Sequence, residues 1–389
     1  MTTFVLAPDS FKESMSAQQA CDAMQRAILK LIPDANVIAV PMADGGEGTV
    51  DALLSACHGE KVAIALTGPL PNQRVTTYFG LIDGGQTAVI EMAKANGIHL
   101  VDIAQRNPLL TSTYGTGEMI LAALDVGVSK IIIGLGGSMT NDGGAGMAQA
   151  LGAQFLDEKG LEVAVCGGCL DQIKSLDLTQ LDSRLTHTDI IIASDVINPL
   201  CGENGASHIF GPQKGATQEM VCQLDQNLSH YANVVEATLG CALRDVVGAG
   251  AAGGLGFGLM AFAGASMRSG VELVIEQSQL KEKIAQADYV LTGEGKIDYQ
   301  TKFGKTPFGV AQVAKKYNKS VIAFTGLVGE EIAELYDLGF TQIVGINPPD
   351  CKLEDALKNA ETYLEKSCTD LINSICKRSE PTSFKIDRF

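Results

Sequence analysis

The sequence predicts an α/β protein: a parallel-sheet domain, discontinuous in the chain, with a second, mixed α/β domain inserted into it. Three observations lead there. Apolar runs alternate with helical patterns at both ends of the 389-residue chain, the signature of a parallel sheet covered by helices. The middle breaks that alternation with successive strands. Glycine-rich loops bearing acids and hydroxyls follow several strands, and α/β sheets take their ligands at such strand ends.

Taken in order, "TFVLAP" is a short buried strand. Ser16 then caps a helix in which Ala17, Ala20, Cys21, Met24, Ile28 and Leu31 recur near helical spacing. "ANVIAVPMA" and "EGTVDALLSAC" repeat strand and helix. "KVAIALTGP", "RVTTYFGLID" and "QTAVIEMA" follow as strands with no helix between them, the last two joined by a turn at Asp83–Gly85. Helix and strand return with "GTGEMILAALDVGV" and "SKIIIGLGG", and "TDIIIASDV" is a further buried strand. From "ADYVLTGEG" to "LEDALKNAETYLEKSCTDLINSI" the alternation is clean again. The expected limits are 1–68 with 280–389 for the discontinuous domain and 69–279 for the insertion. The polar tail after Cys376 is expected to fray.

Hydrophobic residues make up 46% of the chain, which marks it as globular. The net charge of −16 repels phosphate backbones and anionic bilayers, so neither nucleic acid nor a membrane is an expected partner. Any bound anion must be held by local donors working against that field. The N-terminus has no basic segment before its apolar run, and ten scattered cysteines read as reduced thiols, so a cytoplasmic location is expected. Cys166 and Cys169 form an isolated CxxC, with neither a second CxxC for zinc nor a βαβ context for redox work. The uncharged span from Val246 to Met267 is long enough for a bilayer, yet its crowded glycines read as a buried, tightly packed helix.

The chemistry lies in the loops. "KIIIGLGGSMTNDGGAGM" is strand, loop, then helix. Gly134, Gly136 and Gly137 let backbone amides converge on an anion. Ser138, Thr140 and Asn141 add neutral donors, and the following helix offers its first amides. Asp142 is a helix cap, or a catalytic or metal-linked acid; the simpler alternative for the whole loop is a tight turn capped by Asp142. Other strand ends share this character: Asp9, Ser10 and Lys12 in "APDSFKES", Asp44 and Glu47 in "MADGGEGT", Asp195 in "SDVINPL", and Glu294, Lys296 and Asp298 in "TGEGKIDYQ". Acids beside glycine loops suit Mg²⁺ bridging nucleotide phosphates, with lysines countering the transferred charge. Gly248, Gly250 and Gly253 fit a dinucleotide fingerprint, but no convincing strand precedes them. "GKT" at Gly304 to Thr306 lacks the first glycine of a Walker loop. The five histidines have no metal spacing, and His208 reads as a hydrogen-bonded structural residue.

With these loops assembled, the sequence resembles the bacterial type 1 glycerate kinase family. The matching motifs are "DSFKES" (more often DSFKGS), "ADGGEGT", "GLGGSMTNDGG", "FGPQKGA", "GAGAAGGLGFG" and "TGEGKIDYQTKFGKTP", which run in the family's order from Asp9 to Pro307. Glu13 stands where the family usually has glycine, and "VCGGCL" puts cysteines in a glycine-rich segment. The resemblance implies a flavodoxin-like (Rossmann-like) discontinuous domain with a second α/β domain inserted. It implies phosphorylation of D-glycerate by MgATP, with 2-phosphoglycerate favoured as product, in glyoxylate, glycolate or sugar-acid catabolism.

Phosphoryl transfer needs positioning, charge neutralisation and an aligned hydroxyl, and the strand-end residues are assigned on that basis. Lys12 with Ser10, or Arg268, would hold the substrate carboxylate or a transferred phosphoryl oxygen. Asp195 is the first choice for deprotonating the hydroxyl, with Asp9 and Asp44 as alternatives. Asp298 and Glu294 would hold Mg²⁺, and the loop from Gly134 to Asn141 would take the ATP phosphates. Competing readings are a kinase of another hydroxy acid or polyol, an NAD-dependent oxidoreductase, and a non-catalytic sugar-acid sensor. Oligomeric state, including a homo-oligomer, and the choice between the 2- and 3-hydroxyl stay open.

Overall fold

The computed structural model describes residues 1–379. The helix Leu353–Ser379 continues past Cys376, and the rest of the tail expected to fray lies outside the described residues. The chain divides into two compact units, 1–42 with 278–389, and 43–277. Helix Thr49–Cys57, which the sequence reading kept with the outer part, belongs to the second unit, where it packs against strands Arg74–Ile82 and Thr87–Glu91. A boundary drawn from alternation alone has no means of seeing which sheet a helix covers.

The discontinuous unit holds five parallel strands: Thr3–Leu6, Asn36–Ala39, Tyr289–Ile297, Ser320–Val328 and Gln342–Gly345. Numbered along this unit, their order is 2-1-3-4-5, the flavodoxin-like arrangement, whose switch point lies between the first and third strands. The strands are short apolar runs because both faces are covered; Phe4, Val5, Leu6, Val290, Leu291 and Phe324 are buried. Helix Ala17–Leu31 begins at Ser16 with a capping box, in which Ser16 Oγ accepts from the Gln19 amide and the Gln19 side chain accepts from the Ser16 amide. Glu13 has φ 64°, a left-handed conformation that explains why glycine is usual there.

The inserted unit is built on a six-stranded mixed sheet. Glu60–Thr67, Arg74–Ile82 and Thr87–Glu91 pair antiparallel in sequence, the last two through the turn at Asp83–Gly85. Lys130–Gly134, Asp189–Ala193 and Ser266–Arg268 then extend the sheet in parallel from Thr87–Glu91. Helices Tyr114–Val126 and Ala251–Ala263 bury Met119, Ile120, Leu255 and Leu259 in one core. A second core gathers Phe155, Tyr231, Phe257 and Val235 around helix Gln218–Leu239. Most of the uncharged span is therefore core, although Val246 and Val247 are exposed, and no helix among the described residues is long and apolar enough to cross a membrane.

The dinucleotide-like glycines serve packing. No strand precedes Gly248. Ala252, Gly253 and Gly254 instead form a left-handed turn at the head of helix Ala251–Ala263. Gly253 has φ 69°, and a β-carbon there would overlap the Thr140 carbonyl oxygen. The Gly143 amide donates to the Gly253 carbonyl at 3.0 Å. Gly253→Ala is accordingly expected to lower stability by about 1–3 kcal/mol through backbone strain, before the clash with Thr140 is counted. Urea unfolding measures this; an unchanged midpoint would show that the turn relaxes freely.

Candidate active site

The carboxyl ends of the four parallel strands in the inserted unit stand in one register row. Glu91 pairs with Gly134, Gly134 with Ala193, and Ala193 with Arg268. The candidate loops leave from this row. The segment from Asp44 to Gly46 lies against Ala193 and Gly270, so residues far apart in the sequence, from Asp44 to Arg268, meet at one edge of the unit.

The loop after Gly134 is fixed on one side and open on the other. Met92 donates to Gly134 O at 3.1 Å, Ile98 to Gly137 O at 2.8 Å, and Met139 to Asn96 O at 2.9 Å. Two carbonyls and the Met139 amide are thereby tied to the segment after strand Thr87–Glu91. The amides of Gly136, Gly137 and Ser138 donate to nothing among the described residues. Gly137 has φ 68°. Successive amides flanking a left-handed residue form an anion-binding concavity. Thr140 Oγ1 and Asn141 Oδ1 are buried and also lack a partner, whereas Asn141 Nδ2 donates to Ser207 Oγ at 3.0 Å.

Two details differ from the sequence reading. Gly134 and Gly136 also serve packing: β-carbons there would strike the backbone of Gly45 and Gly46. Asp142 is a structural cap, not a free acid. It is fully buried and accepts from Thr113 N at 2.7 Å, Thr113 Oγ1 at 2.9 Å, and the Gly144 and Gly146 amides at 3.2 Å. Those bonds use amides at the head of helix Ala145–Ala150 that were expected to serve a phosphate.

Asp44 and Asp195 are brought together. The Gly46 amide donates to Asp44 Oδ1 at 2.9 Å. Asp195 accepts from Ser269 and from the Gly270 and Val271 amides, so it caps the head of helix Gly270–Gln277. Desolvation and the Asp44 charge push its carboxyl above the ordinary range, outweighing those hydrogen bonds. Arg268, one strand over, pairs with Glu276 at 2.6 Å. Glu91, which sequence reasoning passed over, is buried; it accepts from the Val50 amide at 2.7 Å and lies 3.6 Å from Lys94.

The discontinuous unit holds the other candidates at its switch point. Asp9 accepts from the Ser10 amide and from Thr306 Oγ1, both at 2.6 Å. Lys12 is exposed, and its backbone runs over Gly295. Thr301 Oγ1 donates to Glu294 at 3.0 Å, and Lys305 lies 3.7 Å away. Asp298 caps the turn Tyr299–Phe303 and pairs with Lys296 at 2.8 Å, which holds its carboxyl below the usual range. No three metal-ligating side chains converge among the described residues.

The residue most clearly missed from sequence is Lys214. It is 1% exposed, and its Nζ donates to Ser138 Oγ at 2.8 Å and Thr140 O at 2.6 Å. Its signal was present in "FGPQKGA", a lysine held between glycines, but periodicity does not report on a turn. Cys166 and Cys169 are free thiols 2.6 Å apart; Cys169 packs on the second core, and Gly167 between them lies against the Asn141 carbonyl.

Comparison with known proteins agrees with this arrangement. A family model described as the glycerate kinase family matches residues 4–376. A Bacillus subtilis (strain 168) protein named glycerate kinase is 48% identical over 371 residues, covering 95% of this chain and 97% of that protein. An Escherichia coli (strain K12) protein named glycerate 2-kinase is 48% identical over 356 residues, covering 92% and 93%. The crystal structure of a Salmonella typhimurium LT2 protein assigned as glycerate kinase 2 superposes with a TM-score of 0.86 at 44% identity, covering 98% of this chain and 100% of that one. The chain belongs to the glycerate kinase family.

Proposed function

We infer that the protein is an ATP-dependent glycerate kinase, transferring the γ-phosphoryl group of MgATP to a hydroxyl of D-glycerate, with the 2-hydroxyl favoured. The observation that carries the site is the run of unpartnered amides from Gly136 to Ser138, which suits phosphate oxygens. Thr140 and Asn141 belong to the same loop. In the inserted unit Asp195 is the general base. Its raised pKa makes it a stronger proton acceptor than an ordinary aspartate. The substrate oxygen attacks phosphorus, its proton passes to the Asp195 carboxylate, and ADP departs with the bridging oxygen. Asp44 tunes Asp195 by its charge. Arg268 is a candidate for the glycerate carboxylate, though Glu276 competes for it.

In the discontinuous unit, Ser10 and Lys12 are the corresponding anion donors, with Asp9 as an alternative acid. Asp298 and Glu294 would hold Mg²⁺. Each is paired with a lysine, so the carboxylates would hold the metal and the lysines would offer positive charge to phosphate oxygens. Bound Mg²⁺ would neutralise phosphate charge as it develops. Ten free thiols suit a reducing cytoplasm.

Three measurements test this reading. The product formed from MgATP and D-glycerate is expected to give the ³¹P NMR signal of 2-phosphoglycerate, and EDTA to abolish its formation; turnover in metal-free buffer would remove the role of Mg²⁺. Ser138→Ala with Thr140→Ala is expected to weaken binding of a non-hydrolysable ATP analogue, each lost bond costing about 1.5–3 kcal/mol. Isothermal titration reads this, and an unchanged Kd moves the phosphates elsewhere. Asp195→Asn keeps an acceptor for the helix amides, so its melting temperature should hold while kcat falls roughly 10²–10⁴-fold and the KM for glycerate changes little. A base must be ionised. The acid limb of the wild-type kcat profile should therefore lie above the ordinary aspartate value of about 3.9 and vanish in the variant. Full activity in Asp195→Asn would leave the residue only its capping role.

A further inference from the structure

Lys214 sits in the short turn Pro212–Lys214 with its ammonium inside the protein. A buried lysine is ordinarily matched by a carboxylate. This one has two bonds, to Ser138 Oγ and Thr140 O, and no carboxylate within ion-pair distance among the described residues. Two bonds satisfy the two N–H groups of a neutral amine. The third proton of an ammonium has no partner in the protein.

The direction of the Ser138 bond has a consequence. A hydroxyl that accepts from Lys214 keeps its own proton for another acceptor. Ser138 makes no other side-chain bond among the described residues. It is 7% exposed, whereas Thr140 and Asn141 are at 0%, so it is the loop hydroxyl nearest to solvent. Its amide is one of the three unpartnered ones.

We propose that Lys214 is a positioning residue for the phosphate held by this loop: it sets Ser138 as a donor to a phosphate oxygen and takes up a proton from solvent when that phosphate binds. The proposal rests on the reading of the loop as a phosphate site. Burial pushes the Lys214 amine down to about 7, so near neutral pH much of the protein carries it uncharged before an anion arrives. A phosphate at Ser138 favours the ammonium, and linkage turns that preference into proton uptake. The titratable groups on elements packed about this turn are Asp142 of the loop, His208 in helix Ala206–Phe210, Tyr231 in helix Gln218–Leu239, and Arg106, whose backbone meets Gly215. Asp142 raises the Lys214 pKa but is outweighed by burial. Tyr231 stays a neutral phenol, its pKa raised by burial.

The test is isothermal titration of the full chain with a non-hydrolysable ATP analogue and Mg²⁺, in buffers of differing ionisation enthalpy at about pH 8.5, where the nucleotide is fully ionised and Lys214 largely neutral. The expected result is uptake of close to one proton per nucleotide, lost in Lys214→Met. Ser138→Ala and Lys214→Met should each raise Kd about tenfold or more, and the double variant should be little worse than either. If Lys214→Met does not fold, uptake by the unmodified protein decides. Absence of uptake, uptake that persists in Lys214→Met, or full additivity overturns the role of Lys214, while a weakened Ser138→Ala keeps the loop as phosphate site. If Ser138→Ala with Thr140→Ala binds normally, the loop reading itself fails.

Discussion

At the carboxyl ends of the parallel strands in the inserted unit, backbone lies on backbone with no side chain between. The segment from Asp44 to Gly46 rests on Gly134, Gly136 and the Ala193 carbonyl, Gly270 lies against the Asp44 carbonyl, and Gly253 against that of Thr140. The reactive side chains hang from these contacts. Asp44 is placed by the first, Asp195 by the helix that Gly270 begins, and Thr140 with Asn141 by the third. Moving any of these backbones by the width of a methyl group would move an acid or a hydroxyl by a comparable distance, and phosphoryl transfer tolerates little misplacement.

That constraint also explains which features could be read from the sequence. Strand residues 4–6 and 190–193 are apolar throughout because both faces are covered, and periodicity reports this directly. The capping box at Ser16 and the turn at Asp83–Gly85 are likewise local. The roles of Gly134, Gly136 and Gly253 are not local. Each is a glycine because of atoms distant in the sequence, so the loop's composition was legible while the reason for it was not. Lys214 shows the same limit from the other side. Its partners lie at Ser138 and Thr140, and the glycines on either side of it mark a turn without reporting burial.

Charge pairing sorts the remaining candidates. In a chain of net charge −16, Asp298, Glu294 and Arg268 have opposite charges beside them. Asp195 has a like charge instead, and Lys214 has two neutral oxygens. An ion already paired stabilises the resting fold. An ion left with repulsion or with neutral partners is held in a less favoured state that a ligand of the right charge relieves. The structure thus keeps its electrostatic tension at a few positions in the inserted unit and neutralises it elsewhere.

The discontinuous unit carries a consequence for how the protein is made. Strand Thr3–Leu6 has one neighbour at Asn36–Ala39 and the other at Tyr289–Ile297. Helix Ala17–Leu31 packs on helix Leu353–Ser379, with Arg26 reaching Glu361 at 2.6 Å and Glu365 at 2.8 Å. A ribosome delivers this strand and helix before residues 43–277 and their C-terminal partners after them. Residues 43–277 hold all the strands of their own six-stranded sheet and can close while the opening segment still waits. Until the C-terminal helix emerges, Phe4, Leu6, Met24 and Ile28 have no core to enter, so the nascent chain exposes an apolar strand and helix for most of its synthesis and must be kept from its neighbours for that time.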